Sequence, residues 1–122
     1  VIGHILAYVA ATAFIAIGLG ALLAPATSSQ QYGLATKDAV TLAYVRALGV
    51  RDLVLGLLLL SFSLTQQQGA AAIVAEFGAF IGLSDFLIVM SNRGKEARGN
   101  LVIHGVGTIG LLAVWLAIRL GA

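Results

Sequence analysis

Residues 42–64 read LAYVRALGVRDLVLGLLLLSFSL. A run of that length, apolar but for Arg46, Arg51 and Asp52, is what a membrane-crossing helix needs. About 20 residues rising about 1.5 Å each cover a hydrocarbon core about 30 Å thick. Three further blocks, Ile2 to Leu23, Ala70 to Met90 and Leu101 to Leu120, read the same way. Together they fill most of the 122 residues and leave no length for a separate catalytic domain. Composition agrees: 60% of residues are hydrophobic, 10% are charged, and the mean hydropathy is +1.02. Soluble domains run at about 45–50% and about 25%, because a small body must coat its surface with charge. The expected fold is therefore all-α, a four-helix transmembrane bundle forming one integral membrane domain over residues 1–122.

The first block has no charged head before it and is longer than a signal-peptide core, so it reads as a retained first span. Between the first two spans, Pro25 opens and Gly33 closes a polar stretch, which predicts a short surface helix over about 26–32. Thr36 is the expected cap of the second long helix, which would begin near Lys37. The second connection is Gln66 to Gly69 and the third runs from Ser91 to Asn100. Lys37, Arg93, Lys95 and Arg98 share one side, against Arg119 on the other. By the positive-inside rule, loops one and three are expected to be cytoplasmic.

The absence of cysteine excludes disulfide frameworks, cysteine zinc sites and iron–sulfur clusters. A net charge of +2 and a pI near 9.4 do not make a nucleic-acid surface, since the basic residues lie at span ends or inside spans rather than on one face. His4 and His104 lack metal-ligand spacing, so no metal or other cofactor is expected. Gly105, Gly107 and Gly110 spell GxGxxG, but inside an apolar helix with no strand before them they do not make a phosphate cradle. Helices in lipid associate through small residues, and three sets are candidates: Gly78 with Gly82, Ala16 with Gly20, and Gly49 with Gly56.

Ionisable residues inside the spans carry whatever chemistry the chain has. A charge at the bilayer centre costs about 2.5–3.5 kcal/mol on insertion scales, so Arg46, Arg51, Asp52, Glu76 and Asp85 must pair, snorkel or line a cavity. Helices two and three run antiparallel, and Arg51 and Asp85 each lie about 9–10 Å below the same face; they are natural ion-pair partners. Asp52 would pair with Arg46 or a backbone group, and Arg46 would snorkel toward phosphates. His104 shares a helical face with Thr108, Leu111 and Trp115, which would make one wall of a pocket. Glu76, nine residues from Asp85, points about 180° away and cannot share a narrow site with it.

At Tyr44 to Gly56 the chain resembles a widespread family of small four-span membrane proteins of unknown function. The likeness extends to Pro25 closing the first span, the Tyr-Gly-Leu turn at Tyr32 to Leu34, the Arg-x4-Arg-Asp pattern of Arg46, Arg51 and Asp52, Asp85 late in the third span, and His104 opening the fourth. It implies the four-span fold and brings no catalytic residue with it.

The leading expectation from the residues is a pocket that binds or converts a small lipophilic molecule without a cofactor, as an isomerase or cyclase would. Asp85 is the expected proton donor or acceptor, Arg51 its counter-ion, Asp52 an orienting group and His104 a proton relay. Arg46, Tyr44, Glu76, Thr108 and Trp115 are the expected substrate contacts. Two alternatives stand beside it: a dimeric proton-coupled transporter using Glu76 or Asp85, and a structural accessory subunit whose charges only hold helices together. The implied partners are the lipid bilayer, a lipophilic small molecule and, in the transport reading, a second copy of the chain.

Overall fold

The computed structural model describes all residues, 1–122. Five α-helices follow one another: α1 (Ile2–Leu23), α2 (Pro25–Tyr32), α3 (Ala39–Leu64), α4 (Gln68–Arg93) and α5 (Arg98–Arg119), with a 3-10 turn at Gly94–Ala97 between the last two. The four long helices form an all-α bundle. Three helical stretches are long and apolar enough to cross a membrane, Ile2–Leu23, Ala39–Leu64 and Gln68–Arg119, and the last contains both α4 and α5.

Size sorting across the bundle identifies the solvent. Only 24 of 122 residues are buried, and most of the buried apolar ones are alanines, including Ala7, Ala11, Ala71, Ala75 and Ala79. Large side chains such as Val9, Ile17, Leu57, Phe77, Phe80, Leu87 and Ile109 point outward. Water does not tolerate an apolar surface of that extent on a single chain, whereas lipid does. The chain is an integral membrane protein.

Close approach of backbones organises the packing. Helices α1 and α3 make the tightest pair, α4 and α5 the second, and the pairs join through α1 with α5 and α3 with α4. A Cβ placed on Gly18 would sit 2.5 Å from Leu53 N and 2.6 Å from Gly49 O, and one on Gly56 would sit 2.8 Å from Ala11 O. Gly49 and Gly56 are thus close-packing residues as the sequence suggested, and the α1 residues they meet are Gly18 and Ala11. Ala16 and Gly20 are exposed, and nothing lies within 4 Å of a Cβ on Gly20. In α4, Gly78 receives Leu111 and Gly82 receives Thr108.

Two boundaries differ from expectation for identifiable reasons. Asp38, not Thr36, caps α3: its Oδ2 accepts from Thr41 N at 2.8 Å and Thr41 Oγ1 at 2.7 Å. Those bonds hold the exposed carboxyl below its ordinary range. Thr36 instead ties the linker to α2 by donating its N–H to Ser29 Oγ at 3.0 Å. The third connection is far shorter than Ser91 to Asn100. Ser91 Oγ and Asn92 Nδ2 donate back to Leu87 O and Ile88 O, so these polar residues prolong α4 beyond its apolar part. Helix α2 closes at Gly33, whose φ of 115° is the left-handed conformation that glycine adopts without strain.

Candidate functional site

At the end of the bundle that carries α2, one guanidinium collects two carboxylates. Arg51 Nη2 lies 2.9 Å from Asp85 Oδ2 and Nη1 lies 3.3 Å from Oδ1, a fork-to-fork pairing that fixes both side chains. The same Arg51 donates through Nε to Asp52 Oδ1 at 3.1 Å, with Nη2 3.0 Å from that oxygen. Asp52 therefore pairs with its chain neighbour rather than with Arg46. Their Cβ directions diverge by about 100°, but the long arginine stem folds back across that gap. Asp85 and Asp52 side chains are 9% and 13% exposed, against 28% for Arg51, so approach from outside passes Arg51 first.

Tyr32, which the sequence offered only as the first residue of the Tyr-Gly-Leu turn, completes the cluster. From the last turn of α2 its hydroxyl donates to Asp85 Oδ1 at 3.0 Å. Its ring meets the His104 ring edge-on, with centroids 4.8 Å apart. Burial, and then the Asp85 carboxylate, push the Tyr32 phenol well above its ordinary range, so it remains a donor across the physiological span. The signals available in sequence were its place in the Tyr-Gly-Leu turn and at the C-terminus of a helix closed by glycine.

His104 turns one ring nitrogen to the backbone of α2. Its Nε2 lies 2.7 Å from Tyr32 O, and since a carbonyl only accepts, that nitrogen carries hydrogen. Asn100, one turn earlier on α5, donates from Nδ2 to Gln30 O at 2.9 Å and Gln31 O at 2.8 Å. Arg93 Nη1 donates to Gly33 O at 3.2 Å. These three side chains take up carbonyls that the end of a helix leaves without partners, and they clamp α2 over the cluster. Asn100 and Arg93 had been read only as loop polarity and loop charge.

The remaining sequence candidates lie away from this cluster. Arg46 and Tyr44 are exposed on α3. Thr108 Oγ1 donates to His104 O at 2.8 Å and packs on Gly82. Glu76, Thr108 and Trp115 line a separate groove between α4 and α5, so the nine candidates do not converge on one pocket. At the other end of the bundle, His4 Nε2 contacts Gln66 Oε1 at 3.3 Å and Gln68 Nε2 at 2.8 Å. No three His, Asp or Glu side chains converge as a metal site. Cβ atoms on Gly105, Gly107 and Gly110 would meet nothing within 4 Å, so none of the three is packed against another helix.

The raised Tyr32 phenol sets an alkaline limit. A folded-state proton held more tightly than in the unfolded chain stabilises the fold fully below the ordinary phenol value of about 10, and the gain is lost as pH rises beyond it. Wild-type stability is expected to fall more steeply above about pH 10 than that of Tyr32→Phe. Thermal midpoints of the two proteins across alkaline pH check this, and parallel curves would refute it.

Among known proteins, a family model described as Domain of unknown function (DUF4267) matches residues 11–118. No curated protein and no solved structure matches the chain.

Proposed function

Because the chain belongs to that family of unknown function, we propose its activity from the geometry: the cluster of Tyr32, Arg51, Asp52, Asp85 and His104 binds a small lipophilic molecule and converts it by acid–base chemistry. The observation that carries this reading is the stoichiometry of the cluster. Two carboxylates face one guanidinium, so full ionisation leaves a net negative charge, and the cluster has room for one exchangeable proton. A purely structural pair has no use for the second acid, and intramembrane charges are functional by default.

The contacts redistribute the roles expected from sequence. Asp85 is saturated by Arg51 and Tyr32 and acts as the fixed anion. Asp52 engages Arg51 through Oδ1 alone, which leaves Oδ2 to give or take a proton. Arg51, the most exposed of the three, would meet the oxygen of a substrate on which negative charge develops. His104 positions Tyr32 and so holds α2 in place as a cover. Isomerisation and ring closure suit such a site, because each moves a proton between atoms of one molecule and consumes nothing else. In the membrane, four crossings put the α2 end on the cytoplasmic side, where Lys37, Arg93, Lys95 and Arg98 gather.

The test is native mass spectrometry of protein released from mild detergent, followed by chromatography of whatever it carries. Wild type is expected to hold one lipophilic molecule as a mixture of substrate and product. Asp52→Asn, nearly isosteric, is expected to hold a single species. Wild type released without any bound molecule would defeat the binding reading. The same mixture in both proteins would defeat the role of Asp52.

A further inference from the structure

Glu76 is a carboxylate in the bilayer with no cation of its own. It lies eight residues into α4, about 12 Å along the helix from Gln68. The two salt bridges of the chain both belong to Arg51, and the side chain of Glu76 forms no hydrogen bond. The side chain is partly buried at the margin of an open groove of about 270 Å³ between α4 and α5. Phe80 and Leu83 from α4 and Leu112 and Trp115 from α5 form its walls. The groove opens sideways from the bundle, and it is separated from the Arg51 cluster by half a turn around α4.

We infer that this groove binds a lipophilic monocation, an alkylammonium or comparable amine, entering from the bilayer with Glu76 as its counter-ion. Charge selects that class: an unpaired carboxylate surrounded by hydrocarbon is complementary to a cation that also dissolves in hydrocarbon. The walls select it again. Phe80, 62% exposed, and Trp115 offer aromatic faces, to which quaternary and protonated amines are attracted by the ring quadrupole. Leu83 and Leu112 would take the alkyl portion. A second copy of the chain fits less well, because a two-fold interface on this face would bring Glu76 toward Glu76. Arg46 stands near the opposite end of the bundle, and Arg119, the exposed last residue of α5 at Glu76's end, forms no salt bridge with it.

Trp115 is the sole tryptophan, so its emission reports on this groove. The protein is placed in phosphatidylcholine nanodiscs and titrated with 11-bromoundecyltrimethylammonium, whose bromine quenches indole at short range; 11-bromoundecanol is the uncharged control. Wild type is expected to show saturable quenching by the ammonium at about tenfold lower concentration than by the alcohol. Glu76→Gln is expected to weaken the ammonium about tenfold, equivalent to about 1.4 kcal/mol, and to leave the alcohol unchanged. Phe80→Ala, which alters an exposed side chain, is expected to weaken the ammonium about threefold. Equal quenching by ammonium and alcohol, or unchanged quenching in Glu76→Gln, would overturn the proposal. So would loss of ammonium binding on forming a dimer that shields Trp115, counted by native mass spectrometry. None of these outcomes depends on the Arg51 cluster.

Discussion

Gly18→Ala is expected to be among the most damaging single substitutions in this chain, although it adds one methyl group. The new Cβ would sit 2.5 Å from Leu53 N, 2.6 Å from Gly49 O and 2.8 Å from Leu53 Cα. All three are backbone atoms of a helix held by its own hydrogen bonds, so no side chain can turn aside. The remedy is to push α1 and α3 apart along their tightest contact, which loosens Ala11 against Gly56 as well. Overpacking of this kind costs about 1–3 kcal/mol and more where the neighbours cannot yield, and about 3 kcal/mol or above is expected here. Gly20→Ala, two residues away and facing open space, is the matched control. Its helix propensity improves by about 1 kcal/mol, so it should match or exceed wild-type stability. Thermal midpoints in one detergent compare the pair, and equal losses at both sites would show that α1 does not pack on this face.

The second large effect is expected from Arg51→Met. Removing the guanidinium leaves Asp52 and Asp85 facing one another, mostly buried, with no cation between them. Breaking a buried ion pair by deleting one partner costs about 3–5 kcal/mol, and two stranded acids put this case at the upper end. Replacing all three, Arg51→Met with Asp52→Leu and Asp85→Leu, is expected to recover most of that loss, because well-packed apolar side chains often do as well as buried charges. The rescued protein would be folded and without the proposed chemistry, which separates stability from function. A single substitution that changes the unfolding free energy by less than about 1 kcal/mol would mean that water already screens the cluster.

Depth along a helix was legible in the sequence, and direction around it was not. Arg51 and Asp85 could be matched because rise per residue converts position into level, and antiparallel neighbours share levels. The small residues of α1 that pack are not the candidates Ala16 and Gly20, because a helix apolar all round carries no polar face to orient it. With small residues on several sides of α1, spacing alone does not choose between them; the contact between Gly18 and Gly49 is a property of the pair of helices. Tyr32, Asn100 and Arg93 were missed for a different reason. Their roles arise when α2 docks on α4 and α5, and a docked surface helix has the same local sequence as a free one. Asp52 shows the reach of a long side chain: adjacent Cβ directions diverge by about 100°, and the flexible stem of Arg51 spans the difference.

Brevity of the turns has a consequence for how the protein is made. Helices α3 and α4 are joined by Thr65, Gln66 and Gln67 alone, none of them charged, with Gln66 turning the chain through a positive φ of 59°. In the four-crossing arrangement proposed above, that turn is all that the central pair would deliver to the far side of the bilayer. Its polar groups are already partly satisfied: Gln67 N donates to Phe62 O at 2.8 Å, and Thr65 Oγ1 donates to Ser61 O at 2.8 Å. The two helices can enter as a preformed hairpin, and insertion machinery has no charged segment to translocate between them.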